Sequence, residues 1–264
     1  QLRAFMSTPE VTVIIANYKT PELTRLCLRL LRMHTAPERY KVIVVDNDSQ
    51  DESLEYLRGL RWIRLLERRN VGGETPHQME ARAIDLALKE VDTPLTLLMH
   101  TDTLIRNDLW LDFLVNRINA SPQIAGLGSW KLKTTTHYRR FAGFVEGLAK
   151  KFRAEIKPKQ ERYLRTHCVL YRTELLKRCP GGFDDGGPVG RSIHRRLVEQ
   201  GYEMSFVTPE ELGRFVSHLQ HATTVLNPLC SDKPVRLSAR RRLRRKLNQF
   251  EYRRVLLLDD LDGE

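Results

Sequence analysis

Two kinds of hydrophobic pattern alternate along the first hundred residues of the chain. Short runs of apolar and β-branched residues, such as VTVIIA at positions 11–16, are typical of strands that are buried on both faces. The segments that follow them carry apolar residues every three or four positions, which places those residues on one face of a helix. Strand and helix alternate four times, which predicts a parallel sheet built from right-handed βαβ units.

The pattern continues beyond residue 105 but is weaker there. Predicted strands lie at residues 11–20, 40–49, 62–69, 93–105, 124–132 and 203–209, and a strand followed by a helix shares residues 167–179. The other predicted helices lie at residues 21–34, 50–60, 78–91, 109–118 and 192–202. Residues 134–165 are polar and basic and have no clear periodicity. The predicted fold class is α/β, with a mostly parallel central sheet flanked by helices.

Polar residues cluster where four of these predicted strands end. The clusters are Asn17-Tyr18, Asp46-Asn47-Asp48, Asn70-Val71-Gly72-Gly73 and His100-Thr101-Asp102. Any one of them alone is typical of a turn or a helix cap. Ligands of parallel α/β sheets bind beyond the carboxyl ends of the strands, where all four clusters fall. Together the clusters therefore predict a ligand site at this edge of the sheet.

The composition is that of an ordinary globular protein. Of its 264 residues, 41% are hydrophobic and 29% are charged, which is enough to form the core of one α/β domain. No apolar stretch approaches the roughly 18 to 20 residues that span a bilayer, and the first ten residues lack the apolar segment of a signal peptide. We therefore expect a cytoplasmic protein. The four cysteines are far apart in the sequence, and we expect them to be reduced and buried.

The net charge of +11 predicts an anionic partner, which is a nucleotide, a nucleic acid or a membrane surface. Most of the excess lies in residues 236–254, which contain nine Lys or Arg and one Glu. Leu243, Leu247 and Phe250 share one helical face in this tail, with arginines around the rest. Two interpretations stand: the helix lies on an anionic membrane, or its apolar stripe packs on the domain and leaves the arginines in solvent.

Five landmarks in order resemble family-2 glycosyltransferases of the GT-A fold, over residues 11–221. They are VTVIIANYKTPELTRLCLRLL, KVIVVDNDSQDES, RNVGG, the strand ending HTD, and GGFDD followed by RLVEQGYEMSFVTP. The resemblance implies a nucleotide-sugar donor, a divalent metal on its diphosphate, and transfer of one sugar to an acceptor hydroxyl, usually with inversion. We expect a UDP- or dTDP-sugar as the donor.

The resemblance also implies a metal site at the fourth strand end. The family has a DxD motif there, and its last carboxylate reaches the metal. Asp102 keeps that position, whereas His100 replaces the first acid. An imidazole can ligate Mn²⁺, which tolerates nitrogen ligands better than Mg²⁺ does, or donate a hydrogen bond to ribose or phosphate, and we therefore expect Mn²⁺. Many members supply a further histidine late in the chain, for which we favour His218 over His221.

The same resemblance assigns residues to the donor. Asp46 matches the acid that reads the base, and Asn17 and Tyr18 match residues that line the nucleoside. The expected donor-binding set also includes Asn70, Gly72, Gly73, Arg82 and Thr101. The two glycines let the backbone come close to the donor. The arginine matches one that lies near the phosphates, although Ala83 follows it instead of the usual Asn, and a solvated surface arginine is the alternative.

The catalytic base is the clearest departure from the family pattern. An inverting member needs a carboxylate that takes the proton of the acceptor hydroxyl, normally the Asp of an acidic pair before the RLxxxGY helix. That pair falls on Val189 and Gly190 in this sequence. Asp184 and Asp185, in a glycine-rich loop, are the nearest candidates, and ordinary turn formation is their alternative role.

We predict three regions in the chain. Residues 1–10 are an N-terminal extension or an expression remnant, residues 11–230 are the glycosyltransferase domain, and residues 231–264 are a basic amphipathic tail. Residues 11–105 form the nucleotide-sugar half of the domain, and residues 106–230 form the acceptor half. The expected partners are the donor, a saccharide or lipid-linked acceptor, and an anionic membrane surface that the tail contacts, with no nucleic acid.

The predicted function is a glycosyltransferase of the hexosyltransferase type, in polysaccharide or glycoconjugate assembly. A nucleotidyltransferase shares a sheet of this kind, but ANYKTPEL after the first strand is not a Gly-rich, basic phosphate loop. A nucleic-acid-binding protein would use the basic tail, which has no recognised binding motif and no interleaved aromatics beyond Phe250 and Tyr252. A GT-A-like protein without catalytic activity is the third alternative.

Overall fold

A computed structural model describes residues 8–69, 72–130, 161–219, 222, 225 and 237–263 of the chain. The strands are β1 (Val11–Asn17), β2 (Tyr40–Asp46), β3 (Arg64–Glu67), β4 (Leu95–His100), β5 (Thr103–Ile105), β6 (Ile124–Gly128), β7 (Cys168–Arg172), β8 (Glu203–Phe206) and β9 (Val216–His218). The helices are α1 (Pro21–Met33), α2 (Glu52–Gly59), α3 (Pro76–Leu88), α4 (Trp110–Asn119), α5 (Thr173–Arg178), α6 (Arg191–Glu199), α7 (Pro209–Leu212), α8 (Leu237–Asn248) and α9 (Tyr252–Val255).

Seven of these strands form the central sheet, in the order β3-β2-β1-β4-β7-β6-β8. β3, β2, β1 and β4 are parallel neighbours, and β6 and β8 also pair in parallel. β7 runs antiparallel to both β4 and β6. The predicted mostly parallel sheet is confirmed. The direction of β7 was not predictable, because no periodic helical segment precedes it and the crossover rule for parallel strands does not apply.

Helices cover both faces of the central sheet. Val13 and Ile15 of β1 belong to one hydrophobic cluster with α1, α2 and α4, whereas Ile14 belongs to a second cluster with α3, α5 and α6. Successive side chains of a strand point to opposite faces, so a strand covered on both sides needs apolar residues at consecutive positions. The double cover explains why residues 13–16 form a continuous apolar run.

A two-stranded sheet stands at the end of β4. It pairs β5 with β9 in antiparallel register, so that Thr103 lies opposite His218. The sequence prediction treated β4 and β5 as one strand at residues 93–105 and missed β9, because a three-residue strand is too short to show a period. His218 therefore lies on a strand. The pairing carries a residue from late in the chain to the end of β4.

The C-terminal helix α8 packs on the domain through its apolar stripe. Leu243 and Leu247 are 6% exposed and Phe250 is 9% exposed, and all three belong to the cluster on the α1 side of the sheet. The arginines of α8 at positions 240, 241, 242, 244 and 245 are exposed. The packed interpretation of the apolar stripe therefore holds, and the outer face of the helix is basic.

A buried arginine ties the end of the chain to α1. Arg29 is 1% exposed and donates hydrogen bonds to the carboxylates of Asp259 and Asp262 and to the Val255 carbonyl. The Tyr56 hydroxyl donates to the same Asp262 at 2.8 Å. A buried charge without a partner would cost several kcal/mol, so these acceptors explain how α1 carries an arginine on its buried face.

Several expectations concern residues on which the structure gives partial or no information. Cys27, Cys168 and Cys179 are buried free thiols, as predicted. The predicted site residue Asn70 lies outside the described residues, as do His221, which was the alternative to His218, Cys230 and most of the region at 134–165. Within the described ranges, no helix has both the length and the apolar character needed to cross a bilayer.

Candidate active site

The end of β4 brings the three predicted metal ligands together. His100 is the last residue of β4, Asp102 lies in the turn before β5, and the β5–β9 pairing brings His218 to the same place. One ligand atom from each residue lies within 4.8 Å of the other two. His218 Nε2 is 3.2 Å and His100 Nδ1 is 3.9 Å from Asp102 Oδ1. Strand pairing over more than a hundred positions therefore builds this cluster.

The environment of Asp102 fits a bound cation. Its Oδ1 is buried and makes no well-aligned hydrogen bond among the described residues, although His218 Nε2 lies 3.2 Å away, and such an oxygen is costly to bury. Burial alone raises the pKa of Asp102, but the imidazoles of His218 and His100 outweigh burial and hold the pKa below its ordinary value. An ionised carboxylate between two imidazoles offers one oxygen and two nitrogens. This set suits Mn²⁺ better than Mg²⁺, which prefers oxygen ligands.

Glu80 of α3 is a site residue that the sequence prediction missed. Its Oε1 lies 2.9 Å from His100 Nε2, and Thr166 Oγ1 lies 3.1 Å from the same nitrogen. Burial lowers the pKa of His100, but the charge of Glu80 and its hydrogen bond outweigh burial and raise the pKa to about 8. The sequence could have indicated Glu80 by its position near the start of α3. This end of the helix directly follows the third polar cluster and is therefore the end nearest the site.

A third imidazole, that of His167, adjoins the cluster. Its ring stacks on the ring of His218, with centroids 4.7 Å apart and an angle of 12° between the planes. Burial lowers the pKa of His167 well below its ordinary value, so the ring is neutral, and its Nε2 lies 3.2 Å from the Ser129 hydroxyl. His167 precedes β7, and only the pairing of β7 with β4 reveals its place. No pattern in the sequence pointed to it.

The C-terminal helix also reaches the cluster. Lys246 of α8 is half-buried, and its Nζ donates a hydrogen bond to the His218 carbonyl at 3.3 Å. Burial and the neighbouring Arg242 lower the pKa of Lys246. The sequence prediction treated α8 only as a tail and missed this contact. The packing of α8 therefore brings an amine beside the candidate metal ligands.

Asn17 and Asp46 join the ends of β1 and β2. Asn17 Nδ2 donates to Asp46 Oδ1 at 2.7 Å and to Ser53 Oγ at 2.9 Å, and Thr24 Oγ1 donates to Asn17 Oδ1 at 2.6 Å. Asp46 also accepts hydrogen bonds from the Ser49 hydroxyl and backbone N–H. Asn17 is 0% and Asp46 1% exposed, so both use their polar atoms within the protein. Their predicted contact with the nucleoside stays a prediction.

The loops after β1 and β2 contain strained backbone. Lys19, Asp48 and Gln50 have φ angles of 52°, 64° and 50°, in the left-handed region that costs a residue other than glycine roughly 1 kcal/mol or more. The Lys19 ammonium lies 5.2 Å from the ring centroid of Tyr18, the predicted nucleoside contact. Strain of this kind is concentrated at ligand sites in proteins, which supports a binding role for these loops.

The remaining predicted donor residues occupy the same edge of the sheet. Gly72 and Gly73 follow β3 with φ angles of 75° and 73°, so this backbone favours glycine at both positions. Thr101 is 6% exposed, and its Oγ1 lies 3.3 Å from Thr20 Oγ1, which joins the turn after β4 to the loop after β1. Contact of these residues with a donor stays a prediction.

Arg82 and Asp184, which were predicted for different roles, bond each other. Arg82 Nε donates to Asp184 Oδ2 at 2.7 Å, and its Nη1 donates to Glu74 Oε1 at 2.5 Å. The backbone N–H of Phe183 donates to the Asp85 carboxylate at 2.9 Å, which holds the same loop against α3. Arg82 is therefore an ion-pair partner of two acids, with 41% of its side chain exposed, and its predicted contact with the donor phosphates stays a prediction.

The structure shows the surroundings of Asp185 and why position 190, where the family has an acid, is a glycine in this chain. Asp185 is exposed and accepts a hydrogen bond from the Gly187 N–H at 3.0 Å. Burial raises the pKa of Asp185, but the nearby Ser192 side chain and the hydrogen bond from the Gly187 N–H outweigh burial and lower it. Gly190 has a φ of 84°, and a Cβ there would lie 3.3 Å from the Leu164 carbonyl oxygen. The backbone therefore disfavours an aspartate at position 190.

The sequence matches a known family. A sequence model of glycosyl transferase family 2 matches residues 12–179, which is more than half of the chain. The chain therefore belongs to glycosyltransferase family 2, a family of sugar-transferring enzymes, and the sheet and helices described above are those of the GT-A fold. No curated protein sequence matches the chain.

Solved structures similar to this chain include a mannosyltransferase. The mannosyltransferase PcManGT from Pyrobaculum calidifontis, in complex with GDP-Man and Mn²⁺, matches with a TM-score of 0.54 and 19% identity over 76% of this chain and 55% of that chain. TarS from S. aureus, in complex with UDP-GlcNAc, matches with a TM-score of 0.48 and 18% identity over 71% and 53%. This chain spans about half the length of these two proteins. The first match supports the GT-A fold.

Proposed function

We propose that the protein is a metal-dependent glycosyltransferase that moves a sugar from a nucleotide-sugar donor to an acceptor hydroxyl. The observation that carries the proposal is the cluster of the buried Asp102 Oδ1 with two imidazoles, in which this oxygen lies 3.2 Å from His218 Nε2 and makes no well-aligned hydrogen bond in the described part of the chain. It belongs to a family-2 domain, at the strand end where the family has its metal motif. Asp102, His100 and His218 would hold the ion.

The protein residues around this position have separate tasks in the proposal. A divalent ion, which we propose to be Mn²⁺, supplies the positive charge that a nucleoside diphosphate needs to become a good leaving group. The imidazoles keep Asp102 ionised, and the neutral ring of His167 supports His218 by stacking. Lys246 brings a further cationic group to the side of the cluster, where it would attract phosphate oxygens.

The loops after β1, β2 and β3 are the proposed nucleoside site. The Asn17–Asp46 network holds two of these loops together, and the strained backbone at Lys19 and Asp48 lies in them. A UDP- or dTDP-sugar is the proposed donor. The GDP-Man and Mn²⁺ bound to PcManGT support the class of donor and of metal, because that enzyme has the same fold.

Inversion at the sugar carbon completes the proposed reaction. A direct displacement needs a carboxylate that takes the proton of the acceptor hydroxyl, and we propose Asp184 or Asp185 for this role. Both lie in the loop before α6, near the position where the family has its base. Asp185 is the more exposed of the two, whereas Asp184 is engaged with Arg82.

We propose that the acceptor is a saccharide or a lipid-linked saccharide in polysaccharide or glycoconjugate assembly, and that the enzyme works on the cytoplasmic face of a membrane. The exposed arginines of α8 support the membrane contact, because anionic lipid headgroups attract such a surface. In this proposal residues 11–105 bind the donor, residues 106–230 bind the acceptor, and residues 231–264 form the basic tail. Nucleic acid has no role in it.

A thermal-shift screen tests this proposal. The full chain is heated with UDP-, dTDP- and GDP-sugars, each with and without Mn²⁺. A ligand at a hundred times its Kd stabilises a protein by about 2.7 kcal/mol, which is easily measured. We expect sugars of one nucleotide to raise the unfolding temperature only when Mn²⁺ is present. Absence of Mn²⁺-dependent stabilisation by every nucleotide sugar would contradict the proposal.

A further inference from the structure

The charge at the end of β4 differs from that of the family motif. Two aspartates would place two negative charges there, whereas His100 leaves only the charge of Asp102. The structure supplies a second carboxylate from another element. Glu80 lies on α3, twenty positions before His100, and its Oε1 is 2.9 Å from His100 Nε2. Glu80 with a neutral His100 has the same net charge as a single aspartate at position 100.

The contact with Glu80 determines which nitrogen of His100 carries the proton. A carboxylate can only accept hydrogen bonds, so the ring nitrogen that faces Glu80 must carry a hydrogen. In the neutral ring this hydrogen is on Nε2, and the lone pair is then on Nδ1. Nδ1 lies 3.9 Å from Asp102 Oδ1, the buried oxygen that also faces His218 Nε2. In the neutral ring, which is the form that can ligate a metal, the Glu80 contact therefore leaves the lone pair on the nitrogen nearer to Asp102.

The start of α3 holds Glu80 in place. A capping box joins Thr75 and Gln78, whose side chains bond each other's backbone N–H groups, and it fixes the first turn of the helix. The neighbours of Glu80 on the chain, Met79 and Ala81, are buried in the protein. The carboxylate is thus presented from a rigid element and not from a mobile loop.

We propose that Glu80 is a positioning residue, which sets the tautomer of His100 and restores the negative charge missing at position 100. The inference rests on the proposed metal site and adds a residue that no part of the family motif assigns. Carboxylate partners of metal-binding histidines raise the basicity of the ligand nitrogen, and removing such a partner costs roughly 10- to 100-fold in metal affinity.

Titration of the full chain with Mn²⁺ alone tests the inference without catalysis. The free ion is followed by electron paramagnetic resonance in the wild type, in Glu80→Ala and in Glu80→Gln. We expect Glu80→Ala to weaken Mn²⁺ binding roughly 10- to 100-fold. Glu80→Gln should weaken it less, because the amide oxygen still accepts the hydrogen bond from Nε2 but carries no charge.

The same two changes in a His100→Asp background separate positioning from general electrostatics. Without the imidazole Glu80 has no tautomer to set, so the loss of affinity on changing Glu80 should fall to less than about threefold, an interaction visible in a double-mutant cycle. Glu90→Ala is the matched control, because it removes an exposed acid that pairs with Arg64 just beyond α3. It should leave Mn²⁺ binding unchanged.

Thermal unfolding of each variant shows whether the fold is retained. If Glu80→Ala does not fold, Glu80→Gln still tests the inference, because it preserves the side-chain volume. Equal losses in both backgrounds, or wild-type affinity in Glu80→Gln and Glu80→Ala, would overturn the positioning role and leave the metal site intact. A wild-type chain that takes up no Mn²⁺ would overturn the metal site and the positioning role together.

Discussion

At the scale of single residues, Asp46 and Asp102 show two different uses of a buried carboxylate. Asp46 is 1% exposed, and both its oxygens accept hydrogen bonds, from Asn17 and Ser49. Asp102 is 7% exposed, and its Oδ1 faces the imidazoles of His218 and His100 without a well-aligned hydrogen bond within the described ranges. Since an ionised oxygen is costly to bury alone, the first acid completes a network within the protein, whereas the second fits a ligand from outside the chain.

The first prediction concerns the choice of metal. His100→Asp restores the common acidic motif and exchanges a nitrogen ligand for an oxygen ligand. The variant should stay active and should shift its preference from Mn²⁺ toward Mg²⁺, which prefers oxygen ligands. Initial rates at matched concentrations of the two ions measure this shift. An unchanged ratio of rates would argue against His100 as a ligand.

The second prediction concerns the catalytic base. If Asp185 takes the acceptor proton, Asp185→Asn should lower kcat by roughly 10² or more and leave the donor KM nearly unchanged. Asp184→Asn should differ in kind, because it also breaks the pair with Arg82 and should therefore change the donor KM. Wild-type kinetics in both single variants would remove this loop from the mechanism.

At the scale of secondary-structure elements, sequence patterns predicted the long elements and missed the short ones. β1, β2 and α1 were predictable because each has enough residues to show its period. β9 has three residues, and its partner β5 lies more than a hundred positions away, so no local pattern indicates the pairing. His218 was therefore found by resemblance to the family, and Glu80 and Lys246 were not found, because their contacts exist only after α3 and α8 have packed.

The third prediction tests how the C-terminal segment is held. Arg29→Met removes a buried guanidinium and leaves the partly buried Asp262 without its ion-pair partner, with the Tyr56 hydroxyl as a remaining donor. The free energy of unfolding should fall by about 2–4 kcal/mol, somewhat less than for a fully buried pair, because Asp259 is largely exposed. Urea denaturation measures the loss. Arg58→Met is the control, since Arg58 and Glu67 form a surface pair, and it should change stability little.

A loss in Arg29→Met no larger than that of the control would contradict the anchoring role of Arg29. The same experiment also distinguishes a tail that packs on the domain from one that only contacts a membrane. If α8 contacted only a membrane, the loss of Arg29 from α1 would not affect it. If α8 packs on the domain, the contacts between α1 and the residues after α8 help to hold it in place.

At the scale of the whole molecule, the candidate site is assembled from distant parts of the chain. The end of β4 supplies His100 and Asp102, while α3, β9 and α8 supply Glu80, His218 and Lys246. The basic outer face of α8 lies on the same helix as Lys246. A membrane contact by this face would therefore bring a lipid-linked acceptor close to the proposed site of transfer.

The fourth prediction tests this surface separately from the packing of α8. Arg241→Glu combined with Arg245→Glu reverses two exposed charges and should abolish binding to vesicles that contain phosphatidylserine, with no loss of thermal stability. Leu243→Ala should instead lower stability by about 2–4 kcal/mol, because it leaves a cavity in the core. Co-sedimentation with anionic and neutral vesicles gives the first result. Unchanged vesicle binding in the charge-reversal variant would exclude this face as the membrane contact.

The most direct test of the proposed metal site is calorimetry of donor binding with and without Mn²⁺. It uses the nucleotide sugar that the thermal-shift screen identifies and compares the wild type, Asp102→Ala, and Asp108→Ala, which removes an exposed acid in the next turn. Mn²⁺ should increase the donor affinity of the wild type and of Asp108→Ala by tenfold or more, about 1.4 kcal/mol. In Asp102→Ala this increase should disappear. An Asp102→Ala protein that still binds the donor in an Mn²⁺-dependent way would contradict the assignment of the site.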